Sequence, residues 1–153
     1  MVHSILLAVS MLLLTAWLHL TVLRWISNGM TIIPLRPNNR IFAVMILLYA
    51  LHFAEIAIYA AAFAAGQYLL GLGAFSGEVM ATPLDYLYFS SVSYTSLGIG
   101  DIFPTGHLRF LTGVEALNGL LLIAWSASFL FSMMNQLWEW QPCAEPVKRD
   151  TER

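Results

Sequence analysis

The chain has 153 residues, 59% hydrophobic and 10% charged, with seven Lys and Arg against nine Asp and Glu for a formal net charge of −2. Soluble domains stand at about 45–50% and about 25% on the same counts, so this composition cannot cover itself with a water-compatible surface and points to a membrane protein. No basic cluster exists beyond Lys148 and Arg149, which excludes a nucleic-acid partner, and the single cysteine, Cys143, excludes an intrachain disulfide and a cysteine-built metal site.

Residues 4–23 contain no Asp, Glu, Lys or Arg. About twenty residues at ~1.5 Å each match a hydrocarbon core of ~30 Å, which predicts an N-terminal transmembrane helix within 1–27. A cleaved leader is the rival reading, but Met1, Val2 and His3 supply no Lys or Arg and the apolar run is longer than the hydrophobic part of a leader. Residues 28–40 hold Asn, Gly, two prolines and two arginines, which predicts a cytoplasmic loop. Residues 41–65 form a second span, interrupted by His52 and Glu55 and stopped at Gly66-Gln67.

Residues 66–83 are glycine-rich and too irregular for a further span. Thr82-Pro83 with Asp85 reads as a helix start, with proline early and an acid in the first turn. The helix at 84–95 is then three turns long, too short to cross a bilayer. Residues 108–138 are the third span, with Glu115 and Asn118 its strongest polar interruptions and Trp138 and Trp140 as interfacial aromatics at its end. The tail, 139–153, mixes proline with both charge signs and reads as disordered.

Arg24, Arg36, Arg40, Lys148, Arg149 and Arg153 share one side of this topology, and only Arg109 falls on the other. The positive-inside rule makes that side cytoplasmic and the N-terminus external, in a multi-pass protein of the plasma (cell inner) membrane. The piece between spans two and three therefore enters from outside, half crosses as a short helix, and returns through the residues YTSLGIGD.

Non-helical backbone at membrane depth is tolerated only where protein buries it or water lines it, because each unpaired amide in lipid costs several kcal/mol. Gly98 and Gly100 adopt positive φ at little cost, so a strand alternating them with Leu97 and Ile99 can turn successive carbonyl oxygens to one side. Such oxygens replace the water around a monovalent cation, and Ser96 adds a hydroxyl at the inner end. One chain supplies one such loop. A carbonyl cage needs several around an axis, so a homotetramer is expected, with membrane lipid and monovalent cations as its other partners.

The order of span, short helix, T-x-x-G-x-G-D and span resembles the pore module of the tetrameric potassium channel family over about residues 41–134. In that family the filter commonly reads Thr-Val-Gly-Tyr-Gly-Asp; the matching residues are Ser96, Leu97, Gly98, Ile99, Gly100 and Asp101, and Pro104 matches the family's D-x-x-P ending. The resemblance implies an all-α membrane protein with three transmembrane helices, a re-entrant pore helix and a filter loop. Its parts are an outer helix at 41–65, a turret at 66–83, a pore helix at 84–95, a filter at 96–101 and an inner helix at 108–138. It further implies potassium-conducting channel function without enzymatic activity or cofactor, with permeant K+ on the backbone carbonyls of Ser96, Leu97, Gly98 and Ile99. Asp101 would support the filter, and Gly119 is the candidate hinge of the inner helix. The family's pore helix often carries an acid that braces the filter; Val92 stands there in this chain, and Glu115 is the candidate substitute. Leu97 and Ile99 depart from the family's valine and tyrosine, and Ile99 removes a hydroxyl that holds the filter open.

His52 and Glu55 lie one turn apart within a span. One reading makes them a proton-sensitive gating pair; the plainer one, which we favour, has Glu55 either protonated or hydrogen-bonded to the first span, with His19 as a candidate partner, and merely joining helices. Two other functions compete. A non-conducting membrane scaffold or channel-like subunit draws its support from Leu97 and Ile99, and a G-x-G-D intramembrane aspartyl protease would need Asp85 as the partner of Asp101.

Overall fold

Apolar runs become helices of 28, 32 and 30 residues, each long and apolar enough to cross a bilayer. The computed structural model describes residues 1–29 and 35–137. In chain order these are α1 (Val2–Gly29), α2 (Pro37–Tyr68), β1 (Phe75–Gly77), α3 (Pro83–Tyr94), β2 (Ile102–Pro104) and α4 (Leu108–Leu137). The chain is an all-α multi-pass membrane protein. Trp138, Trp140, Cys143, Lys148, Arg149 and Arg153, and with them the expected tail, lie outside the described residues, as do residues 30–34 of the expected loop.

Each long helix buries one narrow seam at the 3–4 residue spacing of an α-helical face. The seam of α1 is Ser4, Ala8, Thr15, His19, Leu23 and Ile26; that of α4 is Leu108, Leu111, Glu115, Asn118, Gly119, Leu122 and Ser126. The opposite faces keep Leu6, Leu13, Trp17 and Trp25 of α1 exposed, as suits contact with lipid. Thr15, His19, Glu55, Glu115, Asn118 and Ser126 sit inside, where they find one another.

Three boundaries differ from expectation, each for a local reason. The segment 28–40 is not all loop: Asn28 and Gly29 close α1, and α2 begins at Pro37. Proline at the first helical position needs no amide hydrogen, and Arg36 before it is extended at φ −60 and ψ 148, as a residue preceding proline prefers. Gly66 does not stop α2, which runs on to Tyr68. It packs instead where a Cβ would meet Leu108 of α4. Inside the segment 66–83, β1 pairs antiparallel with β2, with Phe75 opposite Pro104, Ser76 opposite Phe103 and Gly77 opposite Ile102. This ladder ties the run before α3 to the run after the loop that α3 feeds.

α3 starts on a cap legible in the sequence. Asp85 Oδ2 accepts the backbone N–H groups of Ala81 at 2.8 Å and Thr82 at 2.7 Å, and Pro83 opens the helix. Two amides without intrahelical partners are thereby satisfied by a carboxylate at the positive end of the helix, which holds the Asp85 carboxyl below its ordinary pKa. Twelve residues span only about 18 Å, half a membrane. α3 lies against α2 and β1 through an edge-to-face aromatic cluster in which Phe89 meets Phe63 at 5.0 Å and Phe75 at 4.9 Å, each pair contributing about 0.5–1.5 kcal/mol beyond its buried area.

Candidate functional site

At the C-terminal end of α3 the backbone changes hand. Ser96, Gly98 and Gly100 have φ of 57, 59 and 86, while Leu97 and Ile99 between them are not in the left-handed region. Alternation of this kind directs consecutive peptide groups the same way. The loop is anchored at its root, where the N–H of Leu97 donates to the Val92 carbonyl at 3.0 Å and that of Ser96 to Ser93 at 2.9 Å. Among the described residues no hydrogen bond reaches a carbonyl oxygen of residues 96–100, and residues 95–101 are all exposed. Ser96 was not expected in a left-handed conformation, and nothing in its type signals it; the sign is set by the alternation that Gly98 and Gly100 continue.

Asp101 sits at the C-terminal end of this loop. Its Oδ2 accepts from the Tyr88 hydroxyl at 2.6 Å, its Oδ1 from the Ile102 N–H at 2.9 Å, and its carbonyl from the Glu78 N–H at 3.0 Å. The Tyr88 hydroxyl is the main reason the Asp101 carboxyl lies below its ordinary pKa, since a hydrogen bond to the ionised form favours it. Asp85 and Asp101 are thus held by separate partners, one as a helix cap and the other as a link between loop and α3.

Glu115, fully buried on α4, accepts a 2.6 Å hydrogen bond from Ser90, whose hydroxyl also lies 2.8 Å from the Ile56 carbonyl. The carboxylate therefore meets the middle of α3, not the loop itself. Asn118 one turn on donates to Thr15 at 2.7 Å and Tyr59 at 3.1 Å, joining α4 to α1 and α2. Gly119 lies within the continuous α4, where any Cβ would strike the Tyr94 carbonyl. This gives Gly119 a packing role: α4 comes close to the last residue of α3 only because no side chain intervenes.

The largest polar cluster gathers on Glu55. Its Oε1 lies 2.9 Å from His19 Nδ1, its Oε2 3.1 Å from His52 Nδ1, and the Tyr94 hydroxyl donates to Oε2. Ser126 Oγ stands 3.0 Å from His52 Nε2 and 3.3 Å from His19 Nε2. Glu55 and His19 are fully buried, so the carboxylate does join α2 to the first helix through His19. It also reaches α3 and α4 through Tyr94 and Ser126. Sequence reasoning named His19, His52 and Glu55 together but missed Tyr94. Ser126 of α4 falls between the two imidazoles, a placement set by how α4 packs against α1 and α2.

A short helix between two spans, followed by an exposed loop of alternating backbone hand, is the arrangement of an ion channel's pore module. A family model described as "Ion channel" matches residues 41–136, and the chain belongs to that ion channel family. It carries a potassium-channel-like pore module with α1 added ahead of it. No curated protein and no solved structure gives a match.

Proposed function

We propose that the chain is a potassium-preferring cation channel in which four copies place residues 96–100 around a common axis. The reading is carried by one observation, the alternating hand of Ser96, Gly98 and Gly100 in an exposed loop whose carbonyl oxygens have no partner among the described residues. Backbone acceptors at membrane depth need a partner, and a partly dehydrated cation supplies one. Carbonyl dipoles bind a monovalent ion loosely enough for it to leave, which a ring of carboxylates would not. A single strand cannot surround an ion, and the exposed Leu97 and Ile99 give it apolar flanks to pack against sister copies. α2 is the outer helix, α4 the inner helix and α1 a peripheral helix. The N-terminus lies outside and the C-terminus in the cytoplasm of the plasma membrane.

The test is current through purified protein in planar bilayers with K+ on one side and Na+ on the other. A reversal potential displaced toward the K+ equilibrium value is expected, with loss of current in Gly98→Asp. Equal permeability would refute the preference while keeping the channel. No current from an assembled tetramer would leave a scaffold. A particle mass equal to a single chain in lipid discs would refute the axial assembly.

A further inference from the structure

We propose that His19, His52 and Glu55 bind one divalent transition-metal ion of the zinc class, which pins α1 to α2 behind the pore helix. Two imidazoles and one carboxylate are a donor set that zinc takes in sites with three protein ligands and one open position. Their ligand atoms all lie within 4.8 Å of one another, with His19 Nδ1 2.9 Å from Glu55 Oε1 and His52 Nδ1 3.1 Å from Glu55 Oε2. His52 and Glu55 come from one helix three residues apart and His19 from its neighbour, a common way for a helical bundle to converge ligands on its core.

Ser126 supplies the independent observation. Both ligand nitrogens facing Glu55 are Nδ1, and both Nε2 atoms converge on the single oxygen of Ser126. With a metal on each Nδ1, each Nε2 carries a hydrogen, and a hydroxyl oxygen has two lone pairs to receive them. Metal-bound imidazoles ordinarily have such a partner on the other nitrogen, which fixes ring and tautomer. Without metal, neutral rings that give their Nδ1 hydrogens to Glu55 leave two Nε2 acceptors competing for the one Ser126 hydrogen. A metal on both Nδ1 atoms lets both Nε2–H groups donate to Ser126; without it one ring takes the other tautomer, as His52 can with its Nδ1 2.9 Å from the Tyr94 hydroxyl. Trp125, 5.3 Å from the His19 ring, holds that ring from behind, and the Tyr94 hydroxyl secures the carboxylate.

Access is from one side. A cavity of ≈ 500 Å³ between α2, α3 and α4 is lined by His52, Tyr94 and Ser126, and His52 is the ligand whose side chain keeps 17% exposure. An ion and its fourth ligand, a water molecule, reach the site there. Tyr94, bonded to Glu55, is the last residue of α3 before the loop, so occupancy bears on the base of the conducting strand. That consequence rests on the channel reading; the binding does not.

The experiment uses the full chain without a polyhistidine tag, stripped by chelator in lipid discs and titrated with Zn2+ and separately with Co2+. One equivalent per chain is expected, and Co2+ should show the intense visible bands of a four-coordinate site. His19→Ala and His52→Ala should each weaken binding beyond the ~10–100-fold that losing a ligand's hydrogen-bond partner costs, and Ser126→Ala should fall within that range. The double variant His3→Ala/His107→Ala, which removes the other two histidines, should bind as the parent does. Glu55→Gln preserves shape and should keep helix content while losing the cobalt bands. The proposal is overturned by absence of saturable binding, by a six-coordinate cobalt spectrum in the parent, or by undiminished binding in His19→Ala/His52→Ala. The parent spectrum decides even where a variant fails to fold, and none of these readouts depends on ion flux.

Discussion

Tyr88 donates a 2.6 Å hydrogen bond to Oδ2 of Asp101, so the C-terminal end of the return loop is tied to the helix that feeds it, 13 residues earlier in the chain. Both groups are at the surface, and the bond contributes local order, not global stability. Tyr88→Phe removes it and leaves the ring in place. Amide hydrogen exchange in a peptide covering residues 96–103 should speed up several-fold, with exchange across α1 and α4 unchanged. Equal rates in parent and variant would show that the hairpin of β1 and β2 holds the loop unaided.

The same pair fixes a pH dependence. The Tyr88 hydroxyl lowers the Asp101 carboxyl below its ordinary value, so the stabilisation from the ionised form is fully present above the ordinary pKa of about 3.9 and is lost as pH falls through the lower folded value. Loop exchange, corrected for its intrinsic pH dependence, should be flat from pH ~8 down to ~5 and rise only below about 4. In Tyr88→Phe the rise should begin at higher pH, because the main cause of the depression is gone. A midpoint the same in both proteins would assign the effect to another acid.

Much of this architecture is written in the sequence because a bilayer leaves few solutions. Uncharged runs of helical length must span, and Gly98 and Gly100 next to a proline-capped three-turn helix must turn back. What stayed hidden depends on contacts between elements distant in sequence. β1 and β2 are three residues each, and neither alternates strongly enough to announce itself; they pair because α3 and its loop bring their ends together. Glu55 was legible as a buried acid that needs a partner, and His19 as one candidate. Tyr94 and Ser126 complete that cluster from α3 and α4, a convergence set by packing angles. Gly119 illustrates the limit best, since a glycine within a helix signals a bend and a close approach equally well.

That ambiguity has an energetic test. Alanine is favoured over glycine in a helix by about 1 kcal/mol, so Gly→Ala stabilises wherever space allows. Gly113 on α4 has nothing of this chain within 4 Å of a built Cβ, whereas at Gly119 that atom would overlap the Tyr94 carbonyl. Gly113→Ala should raise the melting temperature in detergent, and Gly119→Ala should lower it and disturb the Tyr94 signals. A rise in both would mean that α4 can withdraw from α3 at no cost.

Ser90→Ala tests what Glu115 supports. The substitution removes the one hydroxyl that reaches both the Ile56 carbonyl and Glu115, leaving a fully buried carboxylate with no described partner for either oxygen. Hydrogen bonds between membrane helices contribute roughly 0.6 to 2 kcal/mol, so a loss of that order in unfolding free energy is expected, and Ser90→Thr, which keeps the hydroxyl, should lose less. No loss in either variant would reduce Glu115 to a neutral filler of the seam.

The hand of the backbone gives the sharpest test of the conducting strand. An L-residue at the left-handed φ of Gly98 costs about 1–2 kcal/mol, and the proposed homotetramer would carry that cost in each copy. Space is not the obstacle, because a Cβ at position 98 meets nothing within 4 Å in the chain. Gly98→Ala should therefore fold, as α3 and the hairpin hold the loop from both ends, but lose the alternation that aims the carbonyls together, and with it the current. D-alanine at the same position, introduced by semisynthesis, adds the same methyl group with the opposite chirality and prefers positive φ. It should conduct while Gly98→Ala does not. If both variants conduct equally, the sign of φ at position 98 is irrelevant to ion passage and the carbonyl strand is not the pathway; if neither does, the methyl group and not the backbone angle is what the pore rejects.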